Sequence, residues 1–153
     1  MTRNAPLQRS EWLLLALRSA RRHRLTAVKV QKSLFVLGAR RAKDVGDDYY
    51  RFRPYHYGPF CADIYHDADS LSVQGFLELD TSRGQSLREY VLTEEGERAA
   101  DASRRRVPNA AREYLEAVVA WAQPLPFDEL VRAVYEAFPE TRVNSIFREP
   151  EGT

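Results

Sequence analysis

The side chains that chemistry would use first lie within one short stretch: His56, Cys61 and His66, with Asp63 and Asp67 close by. Two reactions could start from such a set. An imidazole and a thiol make a nucleophilic pair, and thiolate, imidazole and carboxylate together suit zinc. Spacing speaks against both. On one helix, residues 61 and 66 point about 140° apart. Cys61 also shares a helical face with Ile64, Ala68 and Leu71, which assigns its thiol to a core. No third residue orients the pair, and the chain has no Gly-rich phosphate loop, paired-carboxylate motif or Gly-x-Ser-x-Gly turn. The sequence therefore reads as a non-enzymatic protein with no metal or cofactor, one that works by binding.

The elements that carry these residues follow from pattern. Ser10 is a good N-cap for a helix over 11–22, apolar nearly all round at Trp12 to Leu17 and basic at its end. His23 and Arg24 turn the chain, and Thr26 caps a second helix to about residue 42. Its inward stripe is Ala27, Val30, Leu34, Leu37 and Gly38, with Lys29, Lys32, Arg40 and Arg41 outside. A loop over 44–48 precedes an aromatic stretch, 49–57, which Pro54 marks as an irregular or edge strand. A Tyr57-Gly58-Pro59 turn leads into a third helix over 60–74, with Pro59 in its first turn and Gly75 ending it. Strands are expected over 76–80 and 87–92, joined by a tip at 81–86. Thr93 caps a fourth helix, Pro108 restarts a helix to about 122, and a last helix covers 127–138, with Leu130, Val131, Val134 and Phe138 inward. A short irregular tail is expected from Pro139.

Length and composition fit one globular body of residues 1–107 with a C-terminal helical extension, 108–153. The extension is too apolar to stand alone, so it either closes over the back of the core or forms a homodimer seam. The longest apolar run, six residues, is far short of the roughly 20 a spanning helix needs. A lone cysteine and the lack of a secretory pattern point to a reducing, cytoplasmic setting. The net charge of +1 conceals an asymmetry: +9 over 1–60, −6 over 61–100 and −2 over 101–153. Such a chain can steer a polyanion or an acidic protein toward its basic half if those charges cluster in space.

The order helix, helix, helix, two-stranded hairpin, helix resembles a winged helix-turn-helix, an α+β, mainly α, fold. Gly75-Phe76-Leu77 and Tyr90-Val91-Leu92-Thr93-Glu94-Glu95-Gly96 look like its wing edges. A narrower likeness lies in Val28-Lys29-Val30-Gln31-Lys32-Ser33-Leu34-Phe35, then Tyr55-His56-Tyr57-Gly58-Pro59-Phe60, then Ile64-Tyr65. These segments resemble the Panacea (SocA-like antitoxin) group of bacterial winged-helix proteins. Tyr55 stands near the place where that group has a tryptophan. The resemblance implies a non-enzymatic regulator or a neutralising partner protein.

Two binding readings follow. In the first, a dimeric winged-helix regulator touches DNA through Arg83 and Arg88 on the wing and through Arg21, Arg22, Arg24, Arg40 and Arg41. A recognition helix would offer Arg, Lys, Asn or Gln to base edges, whereas the third helix offers Asp63, Asp67 and Asp69, which phosphates repel. In the second reading, that acidic helix and the apolar C-terminal helices grip a partner protein such as a toxin. The arginines interleaved with aromatics over 49–57 have the composition of a single-strand stacking platform, but aromatics on a half-buried strand more commonly serve packing. Arg104, Arg105 and Arg106 suit the negative end of the fourth helix.

Overall fold

The computed structural model describes residues 7–143 and residue 145 of the chain. The first helix, α1 (Arg9–Ser19), starts earlier than Ser10 would set it. The Glu11 carboxylate accepts the Gln8 backbone N–H at 2.7 Å, so Gln8 is the cap and Ser10 already lies in the first turn. Every residue from Trp12 to Leu17 is buried, because α1 is walled on all sides by α2 (Ala27–Arg40), α4 (Ala62–Val73), α5 (Glu94–Arg104) and α6 (Asn109–Ala122).

Arg22 and His23 turn the chain with φ of 59° and 51°. Arg24, expected in that turn, opens a strand instead, β1 (Arg24–Thr26). Three residues are too few for an alternation to show in sequence, and only Leu25 is buried. Thr26 then caps α2 as expected, its hydroxyl accepting the Lys29 N–H at 3.3 Å. The loop expected at 44–48 begins within one helical turn, α3 (Ala42–Val45).

The aromatic stretch resolves into a hairpin, β2 (Arg53–Tyr55) and β3 (Gly58–Phe60), paired Arg53↔Phe60 and Tyr55↔Gly58. Pro59 thus lies in β3 and not in the first turn of α4, which Cys61 precedes as N-cap. Gly75, at φ 85°, ends α4 and lets the Phe76 N–H reach back to the Leu71 carbonyl.

The strands β4 (Leu77–Asp80) and β5 (Glu89–Leu92) join β1 in an antiparallel sheet of order β1–β5–β4. Thr93 caps α5, accepting the Gly96 N–H at 3.0 Å and donating to the Gly75 carbonyl at 2.6 Å. The molecule is therefore mainly helical with a small antiparallel sheet. From the C-terminal part, α6 gives Ala111, Leu115 and Val119 to the same core as α1. With α7 (Phe127–Ala137) it encloses a second, smaller cluster of Ala122, Leu130 and Val134, to which Phe35 and Phe138 add partly buried rings. No helix in the described residues is long and apolar enough to cross a membrane.

Candidate functional site

The three residues with the most chemistry in them do not meet. Cys61 is buried, and its backbone is clasped by the buried Gln31 amide, which donates to the Cys61 carbonyl and accepts its N–H, both at 2.9 Å. His56 stacks on Tyr55 at the surface, and His66 is exposed on α4. Among the described residues no three His, Cys, Asp or Glu side chains gather as metal ligands would.

The arginines proposed for DNA occupy three separate places. Arg83 is exposed in the β4–β5 connection, and Arg88 closes that connection. The Arg88 carbonyl accepts the Ala27 N–H, which sets it at the start of α2. Arg40 ends the same helix, about 20 Å away at 1.5 Å per residue. Arg21 and Arg22 precede Arg24, which pairs with Val91, and so lie toward the end of the sheet opposite the 81–88 connection. Among the described residues, two of the seven are held in ion pairs within the molecule. Arg24 is bound to Asp80 at 2.6 Å and Glu89 at 3.2 Å, and Arg41 to Asp44 at 2.6 Å. Hydrogen bonds from Ser82, and then from Arg24, hold the Asp80 carboxyl down at about 2.

The acidic helix is likewise partly spoken for. Arg9 reaches Asp63 and Asp67, each at 3.0 Å, and the Tyr50 hydroxyl donates to Asp67 at 2.7 Å. Asp67, expected on the outer face with Asp63, is half-buried. Only Asp69 of the three has no ion-pair partner among the described residues.

Lys32 departs furthest from expectation. Placed outside by the single apolar stripe, it is buried, with its ammonium donating to the Pro59 carbonyl at 3.2 Å. The reason is that α2 is covered twice, by α1 and α6 on one side and by the 53–60 hairpin on another. Burial lowers the Lys32 ammonium from an ordinary value of 10.5 to about 8. Gly58, at φ 101°, permits this seat: a Cβ there would meet the Tyr135 ring at 3.3 Å and the end of the Lys32 side chain at 3.8 Å. The Tyr57-Gly58-Pro59 turn is thus clamped between α2 and α7.

The hairpin so fixed presents a surface that sequence reading had assigned to packing. Tyr49 and Tyr50 do pack, both being buried, but Tyr55 and Tyr57 are 48% and 41% exposed. From the hairpin runs a continuous ladder. The His56 and Tyr55 rings stack at 4.2 Å, Tyr55 meets Phe60 at 5.1 Å, Phe60 meets Tyr65 of α4 at 5.4 Å, and the Arg88 guanidinium lies 4.7 Å over Tyr65. Beside it, Tyr57 sets its edge against the exposed Phe127 ring at 5.1 Å. The only signal available in sequence was Pro54, which breaks the aromatic stretch into an inner half and an outer half.

Compared with known protein families and with curated proteins, the sequence matches none.

Proposed function

We propose that this chain is a non-enzymatic binding module of winged-helix type, and that it engages a partner protein through the ladder running from His56 to Arg88. Support for the winged-helix reading comes from the strand order β1–β5–β4 combined with the chain order: the first strand between α1 and α2, the other two after α4. The resemblance to the Panacea group agrees with a partner-binding role.

One observation carries the choice of a protein over nucleic acid: a ring face at each end of the ladder is already covered from within the molecule. His56 covers Tyr55 at an interplanar angle of 11°, and Arg88 covers Tyr65. A base needs a free ring face, whereas a protein surface can pack against edges and hydroxyls. Tyrosine and arginine are also the residues that most often dominate the energy of protein interfaces. Asp69, without an ion-pair partner among the described residues, would repel a phosphate chain but suits a basic rim on a partner.

Capture of a partner from cells of the native host should be lost in Tyr55→Ala with His56→Ala, both exposed positions, and kept in Arg83→Ala. Retention by the double variant would remove the ladder from the interface. A second reading, contact with duplex DNA through the 81–88 connection, rests on the exposure of Arg83 beside Arg88. It requires binding of random duplex at roughly micromolar level in about 50 mM salt, falling steeply as salt rises. Such binding, abolished by Arg83→Ala with Arg88→Ala, would replace the protein-partner reading.

A further inference from the structure

On the side of the molecule formed by the end of α2, α6 and α7 lies an open cavity of about 270 Å³. Val36, Val118 and Val134, all buried, are its floor, and Tyr114 and Trp121 stand on its wall. Among the described residues one cation lines it. Arg40, four residues after Val36 on the same face of α2, lies 4.9 Å over the Phe138 ring. That ring is itself held edge-on by Phe35 at 4.8 Å.

We infer that this cavity binds a small amphiphilic carboxylate, its apolar part on the valine floor and its carboxylate on Arg40. The volume lies just under the range of pockets for drug-sized ligands, which fits a short alkyl or aryl acid. An apolar lining with a single fixed polar group is how such sites orient a ligand. Guanidinium is charged at every physiological pH and offers paired N–H donors that match a carboxylate. Among the described residues Arg40 has no carboxylate partner, in contrast to Arg24 and Arg41, so its charge is open to a ligand. Trp121, 41% exposed at the wall, is the aromatic side chain that an apolar tail would cover.

The test is a titration of the full chain with octanoate, and in parallel with octanamide, followed by tryptophan emission. Trp12 is buried in the core, so Trp121 reports the site, and Trp121→Phe should erase the signal. Octanoate should saturate with half-effect at or below about 1 mM, and octanamide should bind at least about tenfold more weakly. Arg40→Gln, a change at an exposed side chain, should abolish that preference while leaving the melting temperature unchanged. Ala133→Leu, which narrows the cavity, should weaken both ligands. Equal binding of acid and amide, an unchanged octanoate affinity in Arg40→Gln, or no saturable response would each overturn the inference. So would emission that depends on protein concentration and not on octanoate, which would give the cavity to a second copy of the chain.

Discussion

Raising the pH from 7 to about 9.5 should stabilise this protein, and most of the change should disappear when Lys32 is replaced by methionine. In the folded chain the Lys32 ammonium sits under Pro59 with its charged form disfavoured, titrating near 8 in place of 10.5. Between those values the unfolded chain binds more protons than the folded one, so stability climbs with pH across that window. The full difference corresponds to roughly 3 kcal/mol at 1.36 kcal/mol per unit, an upper bound. Lys29, lowered mainly by burial, acts in the same direction. Above about 10 the sign reverses. Burial pushes the Tyr49, Tyr50 and Tyr90 hydroxyls upward, so their ionisation favours the unfolded chain. A stability maximum between about 9 and 10 is the expected outcome. Lys32→Met keeps the apolar stem, removes the charge and leaves the Pro59 carbonyl without its donor, a loss of about 1–3 kcal/mol. At pH 7 the two effects roughly offset each other. Urea unfolding at pH 7, 8, 9 and 10 measures both chains. A wild-type curve that is flat or falls between pH 7 and 9.5, or an equal slope in the variant, would refute the placement of Lys32 in the interior.

Three further outcomes test the framework that holds the hairpin and the sheet. Gly96→Ala builds a Cβ 1.8 Å from the Phe76 carbonyl oxygen, so α5 must move off the β4 edge, at a cost of about 3 kcal/mol or more, read by thermal melting. Gln31→Met leaves the Cys61 N–H without its acceptor in the core and its carbonyl with the Ile64 N–H alone, and should cost about 1–3 kcal/mol. Amide hydrogen exchange at Cys61 should accelerate with it, and unchanged protection there would mean another donor set serves this backbone. Leu115→Ala empties a site that is 2% exposed, beside α1, for about 2–5 kcal/mol. A loss below about 1 kcal/mol in urea would show that α6 does not share the main core.

Much of the fold was legible because its causes are local. Trp12 to Leu17 announces a helix enclosed on all sides, Thr26 and Thr93 announce two caps, Gly75 ends α4 by its positive φ, and Cys61, Ile64, Ala68 and Leu71 face inward as their spacing requires. What sequence could not supply is whatever depends on a second, distant segment. Periodicity reports one buried face of α2, but Lys32 is buried by a hairpin more than 20 residues onward. Arg24 looks like a free cation until β1 pairs with β5 and brings Glu89 and Asp80 to it. Asp67 looks solvated until Arg9 and Tyr50 converge on it. The amino-acid order set the types of side chain on each element, since helical and strand periods act over a few residues. Which charges remain free for a partner, and which aromatics face water, was decided only by tertiary contact, because ion pairing and burial are properties of two surfaces that meet.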